Sequence, residues 1–329
     1  MLSCSLAPLR TSGNRILNFE TVTAVRLKGV NRSGLEYSSP TGPGSLARAG
    51  ICAAEFDEIA SWGANVVRVP FNQAWALSRA VYDAEAYLAC LDQAISIAAE
   101  RGMYTLLDLQ WLDSTTPRGH LASGRMNFVP PLPDLSSIRL WQQLARRYRH
   151  EPAVLYDVFN EPHDPLPDDT EELHGLHADG SSFVIRNRSV RLREWRPWAA
   201  RLVSAVRSEH PAALIFVSGL DWGYDLEGFP LPELQDVVYS SHVYRNKTKS
   251  WGRAFGNLSR LSPVFIAEWG GCADDLGWGA ELLQFLNERE IGWAAWSWSD
   301  EPRLVRQDSR YEPTEFGKLV QDSLGGIGV

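Results

Sequence analysis

Two strings in the chain end an apolar run with a carboxylate: Val158-Phe159-Asn160-Glu161-Pro162 and Val264-Phe265-Ile266-Ala267-Glu268-Trp269-Gly270. A charged side chain closing an apolar strand is poorly explained by core packing, because burying it unpaired is costly. Two carboxylates brought to one cleft repel, and this separates their proton affinities. One then stays protonated while the other stays ionised. An acid beside a nucleophile is the pair that cleavage of a glycosidic bond needs. Such chemistry requires no metal and no cofactor.

The elements around these strings alternate. Short β-branched runs are each followed by a longer segment with apolar residues at helical spacing. Strands are expected at Val25–Val30, Asn65–Val69, Tyr104–Leu109, Ala153–Phe159, Ala213–Val217, Val237–Ser241, Pro263–Ala267 and Ile291–Ala295. Helices are expected at Ile51–Trp62, Ala84–Arg101, Leu135–His150, Arg191–Glu209, Ser250–Leu261, Leu276–Arg289 and Thr314–Leu324. Arg15–Phe19 and Thr21–Ala24 read as a short hairpin ahead of them. The pattern amounts to eight strand–helix units whose strands are continuously apolar, as parallel strands covered on both faces must be. It predicts a single-domain (β/α)8 TIM barrel over residues 1–329, with the barrel at about 25–324 and a short N-terminal hairpin. The rival, a doubly wound sheet, wants a glycine-rich turn after its first strand, and Gly29-Val30-Asn31-Arg32-Ser33-Gly34 lacks that spacing. In a barrel, Asn31, Pro70, Gln110, Asn160, Glu161, Gly219, His242, Glu268 and Trp296 end the strands and converge on one mouth. The long polar stretches Leu112–Asp134 and Pro162–Val190 then lie on the same face.

Composition narrows the ligand. Lys plus Arg number 32 and Asp plus Glu 40 in 329 residues, so the net charge is −8. A mildly acidic chain is a poor partner for nucleic acid or an anionic membrane surface. Thirteen tryptophans exceed what the core needs, and indole faces suit the apolar faces of sugar rings. Trp111, Trp222, Trp269 and Trp298 follow or end strands and are candidate platforms. Trp62, Trp141, Trp195, Trp198 and Trp293 read as packing. Four cysteines show no metal-ligand spacing, and a Cys52–Cys90 bridge is possible but not deducible. His174 and His177 sit at i, i+3 near Glu171 and Glu172, a pattern read as a solvated loop rather than a metal site.

The two carboxylate strings, together with Val67-Arg68-Val69-Pro70, Ser240-Ser241-His242-Val243-Tyr244 and Ala295-Trp296-Ser297-Trp298, resemble the signatures of glycoside hydrolase family 5, the cellulase-type retaining β-glycanases. The five segments recur in the family's order over about residues 25–320. The resemblance implies Glu161 as general acid/base and Glu268 as the nucleophile that forms a glycosyl–enzyme intermediate. It implies that Asn160 binds the sugar 2-hydroxyl, that Arg68 and Tyr244 hold the nucleophile, and that His242 orders the acid/base side. Trp296 would floor the site, with Gln110, Trp111, His163 and Trp298 as further binding or supporting residues. Gln110 departs from the family, which often carries a histidine there, and so leaves the preferred sugar open. The expected activity is an endo-β-1,4-glucanase on a polysaccharide or oligosaccharide. A β-mannanase, an exo-acting β-mannosidase or β-glucosidase, and a non-catalytic sugar-binding barrel are the alternatives. The carboxyl groups are expected about 5–5.5 Å apart for retention rather than about 6.5–9.5 Å. The protein is expected to be a monomer acting outside the cell, although no clear export signal is visible and a cytoplasmic site stays open.

Overall fold

In the computed structural model, the described residues are 6–37, 51–77, 83–112, 130–163, 173–176, 182–185, 190–307 and 309–326. Eight parallel strands close into a barrel. They are β1 (Lys28–Asn31), β2 (Val66–Asn72), β3 (Tyr104–Trp111), β4 (Val154–Asp157), β5 (Ile215–Ser218), β6 (Val237–Tyr244), β7 (Val264–Gly270) and β8 (Gly292–Ala295). Each strand pairs with its sequence neighbours, and β8 pairs with β1 to complete the ring. The (β/α)8 expectation holds.

Around the ring run α1 (Ala53–Ser61), α2 (Ala84–Glu100), α3 (Leu135–Tyr148), α4 (Leu192–Glu209), α5 (Leu276–Glu288) and α6 (Glu315–Leu324). Their starts are written in the sequence. The Asp83, Asp275 and Thr314 side chains accept backbone N–H groups at the N-caps of α2, α5 and α6. Asp134 and Ser137 form a reciprocal capping box on α3.

Three expectations need correction. The N-terminal hairpin pairs Arg15–Asn18 with Leu9–Ser12, not with Thr21–Ala24. Its turn is Gly13-Asn14, and Gly13 takes the left-handed φ of +59° that a two-residue turn requires. Of the expected pairing, a Leu17–Ala24 bridge and the hydrogen bond from Asn18 N to Thr23 O at 2.9 Å are present. Strand β5 is followed by no helix: residues 219–236 are rich in glycine and proline and run as bridged turns. The segment Ser250–Leu261 is a five-residue π-helical turn, Gly252–Gly256, and a 3-10 turn, Leu258–Arg260, because two glycines weaken an α-helix there.

The core has two shells. Large residues, including Trp62, Trp141, Trp195 and Trp198, fill the space between strands and helices. The barrel interior is a smaller cluster of Leu27, Val66, Tyr104, Leu106, Leu155, Leu214, Phe216, Val238, Phe265, Ala267 and Ala294. Leu9 and Ile16 of the hairpin join this inner cluster and plug the base, and the Tyr104 hydroxyl donates to Ala7 O at 2.7 Å. No described helix is long and apolar enough to cross a membrane.

Candidate active site

Moving two residues along a strand moves one layer up the barrel interior on the same face. From Val66, Leu106 and Leu155 in the apolar layer, the next inward residues are Arg68, Asp108 and Asp157. All three have no solvent exposure. Arg68 is the hub. Its Nε donates to Asp157 Oδ2 at 2.9 Å, and its Nη1 donates to Asn31 Oδ1 at 3.0 Å and to Glu268 Oε1 at 2.7 Å. Its Nη2 donates to Asn160 Oδ1 at 2.8 Å and lies 3.0 Å from Asp108 Oδ1. Burial weakens the hold of this guanidinium on its proton, but Asp108, Asp157 and Glu268 more than offset that and hold it more firmly than usual.

Glu268 reaches the mouth through an irregularity. The register of β6 on β7 shifts by one residue, so that Ser241 faces Ile266 while His242 faces Glu268. Simple alternation after inward Phe265 and Ala267 would send Glu268 outward. The bulge turns it inward. Tyr244 donates its hydroxyl to Glu268 Oε2 at 2.6 Å. Burial disfavours the Glu268 charge, yet His242, Arg68 and the Tyr244 hydroxyl together hold its carboxyl below the ordinary range. The site therefore keeps an ionised carboxylate at only 3% exposure.

Glu161 follows β4 and is more open, with 18% of its side chain exposed. His242 Nδ1 lies 2.8 Å from Glu161 Oε1 and 3.7 Å from Glu268 Oε2. Single oxygens of Glu161 and Glu268 and a ring nitrogen of His242 all lie within 4.8 Å of one another. The Arg68 guanidinium already occupies Glu268 Oε1, which makes the cluster a poor cation cage. Gly223 lets this group close up: its φ is +72°, and a Cβ there would come within 2.8 Å of the His242 ring.

The other residues named from the sequence divide. Asn160 and Trp296 stand at the mouth, 5% and 8% exposed. Gln110 is the next-to-last residue of β3, and its buried Oε1 has no hydrogen-bond partner among the described residues. Trp111 is tilted against Tyr37 at 6.4 Å. His163 places Nδ1 2.6 Å from Glu161 O and stacks on Trp222 at 3.9 Å and 18°. Trp222 is half-buried, and both it and Asp221 adopt left-handed φ values, +58° and +54°. Trp298 does not reach the mouth: it is fully buried, edge-on to Trp62 at 4.8 Å. Trp269 is likewise internal, between Trp293 and Phe316. Cys52, Cys90 and Cys272 are free. The His174 and His177 side chains lie outside the described residues.

Asp108 and Asp157 were absent from the expected site. The signal for them was a carboxylate at an inward position of a strand that is apolar on both faces. Asn31, noted only as a strand end, joins them by donating from Nδ2 to Ala267 O at 2.8 Å while accepting from Arg68.

The chain is similar to known proteins along most of its length. An endoglucanase of Paenibacillus polymyxa is 25% identical over 96% of this chain and 86% of its own length. Endoglucanase MaCel5A of a Microbulbifer species is 24% identical over 90% of this chain, which spans only 52% of that relative. Among solved structures, the β-glucanase SdGluc5_26A of Saccharophagus degradans superposes with a TM-score of 0.74 at 20% identity, covering 98% of this chain and 94% of its own. The catalytic domain of Thermobifida fusca endoglucanase Cel5A gives 0.69 at 19% identity, covering 97% of each chain. The family model for cellulase (glycosyl hydrolase family 5) matches residues 27–302, and the chain therefore belongs to glycosyl hydrolase family 5.

Proposed function

We propose that the protein is a retaining endo-β-1,4-glucanase in which Glu161 is the acid/base and Glu268 the nucleophile. The observation that carries this reading is the approach of the two carboxylates, with single oxygens within 4.8 Å and His242 between them. That approach favours the carboxyl spacing of about 5–5.5 Å that a covalent intermediate needs over the about 6.5–9.5 Å of an inverting site. The names of the relatives support the substrate, as do neighbours solved with cellotetraose.

In the first step Glu161 gives its proton to the glycosidic oxygen. A Glu268 oxygen attacks the anomeric carbon as the bond to the leaving sugar breaks. The product is a glycosyl ester on Glu268. Glu161, now a carboxylate, takes a proton from water, whose oxygen attacks the same carbon and frees Glu268. Arg68 and Tyr244 keep the nucleophile charged and oriented. Because Asn160 spends its Oδ1 on Arg68, its amide nitrogen is left to donate to the sugar 2-hydroxyl. Trp296 floors the cleaved sugar, and the exposed part of Trp222 gives the leaving sugar an apolar face. We also infer that the whole barrel acts as one domain and works outside the cell, where an insoluble polymer is met.

The test is hydrolysis of carboxymethyl-cellulose and of cello-oligosaccharides, with the first-formed anomer followed by proton NMR. Internal cleavage with the β-anomer appearing first is expected. First appearance of the α-anomer would sink the retaining mechanism. Preference for mannan, or release of single sugars only from chain ends, would sink the endoglucanase assignment.

A further inference from the structure

The layer beneath the mouth has a charge imbalance. One guanidinium, Arg68, faces three carboxylates, Asp108, Asp157 and Glu268, at 3% exposure or less. Fully ionised, the four groups would carry a buried net charge of −2, which is strongly disfavoured without water or further cations. The other titratable groups nearby do not remove this imbalance. Glu36 adds a carboxyl from the segment after β1, the Tyr244 hydroxyl is already given to Glu268, and His242 on β6, which favours the charged forms of Asp157 and Glu268, must also serve the further carboxyl of Glu161.

The hydrogen bonds show where the imbalance is relieved. Glu268 accepts from Arg68 and Tyr244, and Asp157 Oδ2 accepts from Arg68 Nε. Among the described residues, Asp108 accepts no hydrogen bond at either oxygen, although it lies 3.0 Å from Arg68 Nη2, and Asp157 Oδ1 also lacks a donor. Asp108 and Asp157 are direct register partners on adjacent strands, with both side chains in the same interior layer. Unpartnered carboxylate oxygens on two buried register neighbours are groups that one shared proton would satisfy. We propose that Asp108 and Asp157 form an acid–carboxylate pair holding one proton, carried on Asp108 and donated to Asp157 Oδ1.

Burial, together with the nearby carboxylates, drives Asp108 toward the neutral form against the pull of Arg68. The pair reduces the cluster charge to −1 and leaves the guanidinium's charge to Asp157 and Glu268. Asp108 is thus a positioning residue. It packs against Arg68 without competing with the nucleophile for its charge. The kinetic part of this inference rests on the reading of Glu268 as nucleophile, whereas the location of the proton does not.

Two measurements test it. Neutron diffraction from deuterium-exchanged wild-type crystals is expected to show a deuteron on Asp108 directed at Asp157. A bare carboxylate at Asp108, or a deuteron on Asp157 alone, overturns the proposal whether or not the protein cleaves β-glucan. Asp108→Asn replaces a neutral O–H donor with a neutral N–H donor. It is expected to leave the acidic limb of the kcat/KM profile within about 0.3 pH unit of wild type. A fall of that limb by about one unit or more would mean that a full charge had been removed beside Glu268, and would overturn it as well.

Discussion

The base and the mouth of the barrel are built by the same strands from residues two positions apart. Val66, Leu106, Leu155, Val238 and Phe265 point inward at the base and pack in one apolar cluster. Arg68, Asp108, Asp157 and His242, one or two layers up, point inward at the mouth and are as fully buried. Burial does not separate the two regions. The base is held by non-directional apolar packing that adds no charge and depends little on pH. The mouth is held by charges whose individual burial is costly and whose mutual hydrogen bonds offset that cost. The base therefore contributes stability, while the mouth uses some of it to hold an ionised carboxylate where water is scarce.

The largest effect expected from this contrast is at Glu268. Glu268→Gln is predicted to lower kcat by about 10⁴-fold or more, because the nucleophile is lost. Its unfolding temperature is expected to move far less than its activity. A variant that unfolds as readily as a cavity mutant would erase the distinction between the two regions. At the base, Phe265 packs edge-on against Phe216 at 5.4 Å with no exposure. Phe265→Ala is predicted to cost about 3–5 kcal/mol of stability, read by denaturant unfolding. The kcat of the folded fraction should stay at the wild-type value, and a collapse of kcat would show that the layers are coupled.

Tyr244→Phe sharpens the comparison within the mouth. It removes one hydrogen bond to the Glu268 carboxylate, worth about 1.5–3 kcal/mol, or roughly 10- to 100-fold in kcat/KM. The lost donor favoured the charged form, so the acidic limb should move to higher pH. An unmoved limb would show that His242 and Arg68 set the Glu268 charge without Tyr244.

The effect at Glu36, buried beside the mouth, is expected in stability and not in catalysis. Burial pushes its carboxyl up to about 8, against 4.5 for an ordinary glutamate. The folded protein thus keeps this proton over a range where the unfolded chain has lost it. Glu36 consequently makes stability fall as pH rises from about 4.5 to about 8. Glu36→Gln should remove that slope, so its stability relative to wild type should grow across the same window. Chemical denaturation at several pH values reads this, and parallel curves would rule it out. Glu268 has the opposite sign. Its lowered pKa adds stability above the ordinary carboxylate range, and that stability is lost as pH falls through the folded value.

Much of the site could be read before the fold. Glu161, Glu268, Arg68, His242 and Tyr244 each close or interrupt an apolar run, and a polar group in that position calls for a partner. Trp298 misled because the end of a strand does not reveal on which side an indole lies. Trp222 stayed ambiguous because its placement depends on a run of left-handed residues, two of them not glycine. Asp108 and Asp157 were hidden because each is harmless in its own string. Only their meeting with Arg68 makes them a cluster.

The sequence by itself determined the alternation of strands and helices, the caps, and the supply of acids at strand ends, since these follow from periodicity and local hydrogen bonding over a few residues. The tertiary structure alone decided which way Glu268 points. An inward Phe265 and Ala267 would turn the next residue outward, and the one-residue slip against β6 reverses that. It also decided that three carboxylates share one guanidinium. Closing the ring gathers positions 68, 108, 157 and 268 around one axis, and no local pattern in the chain encodes that distance.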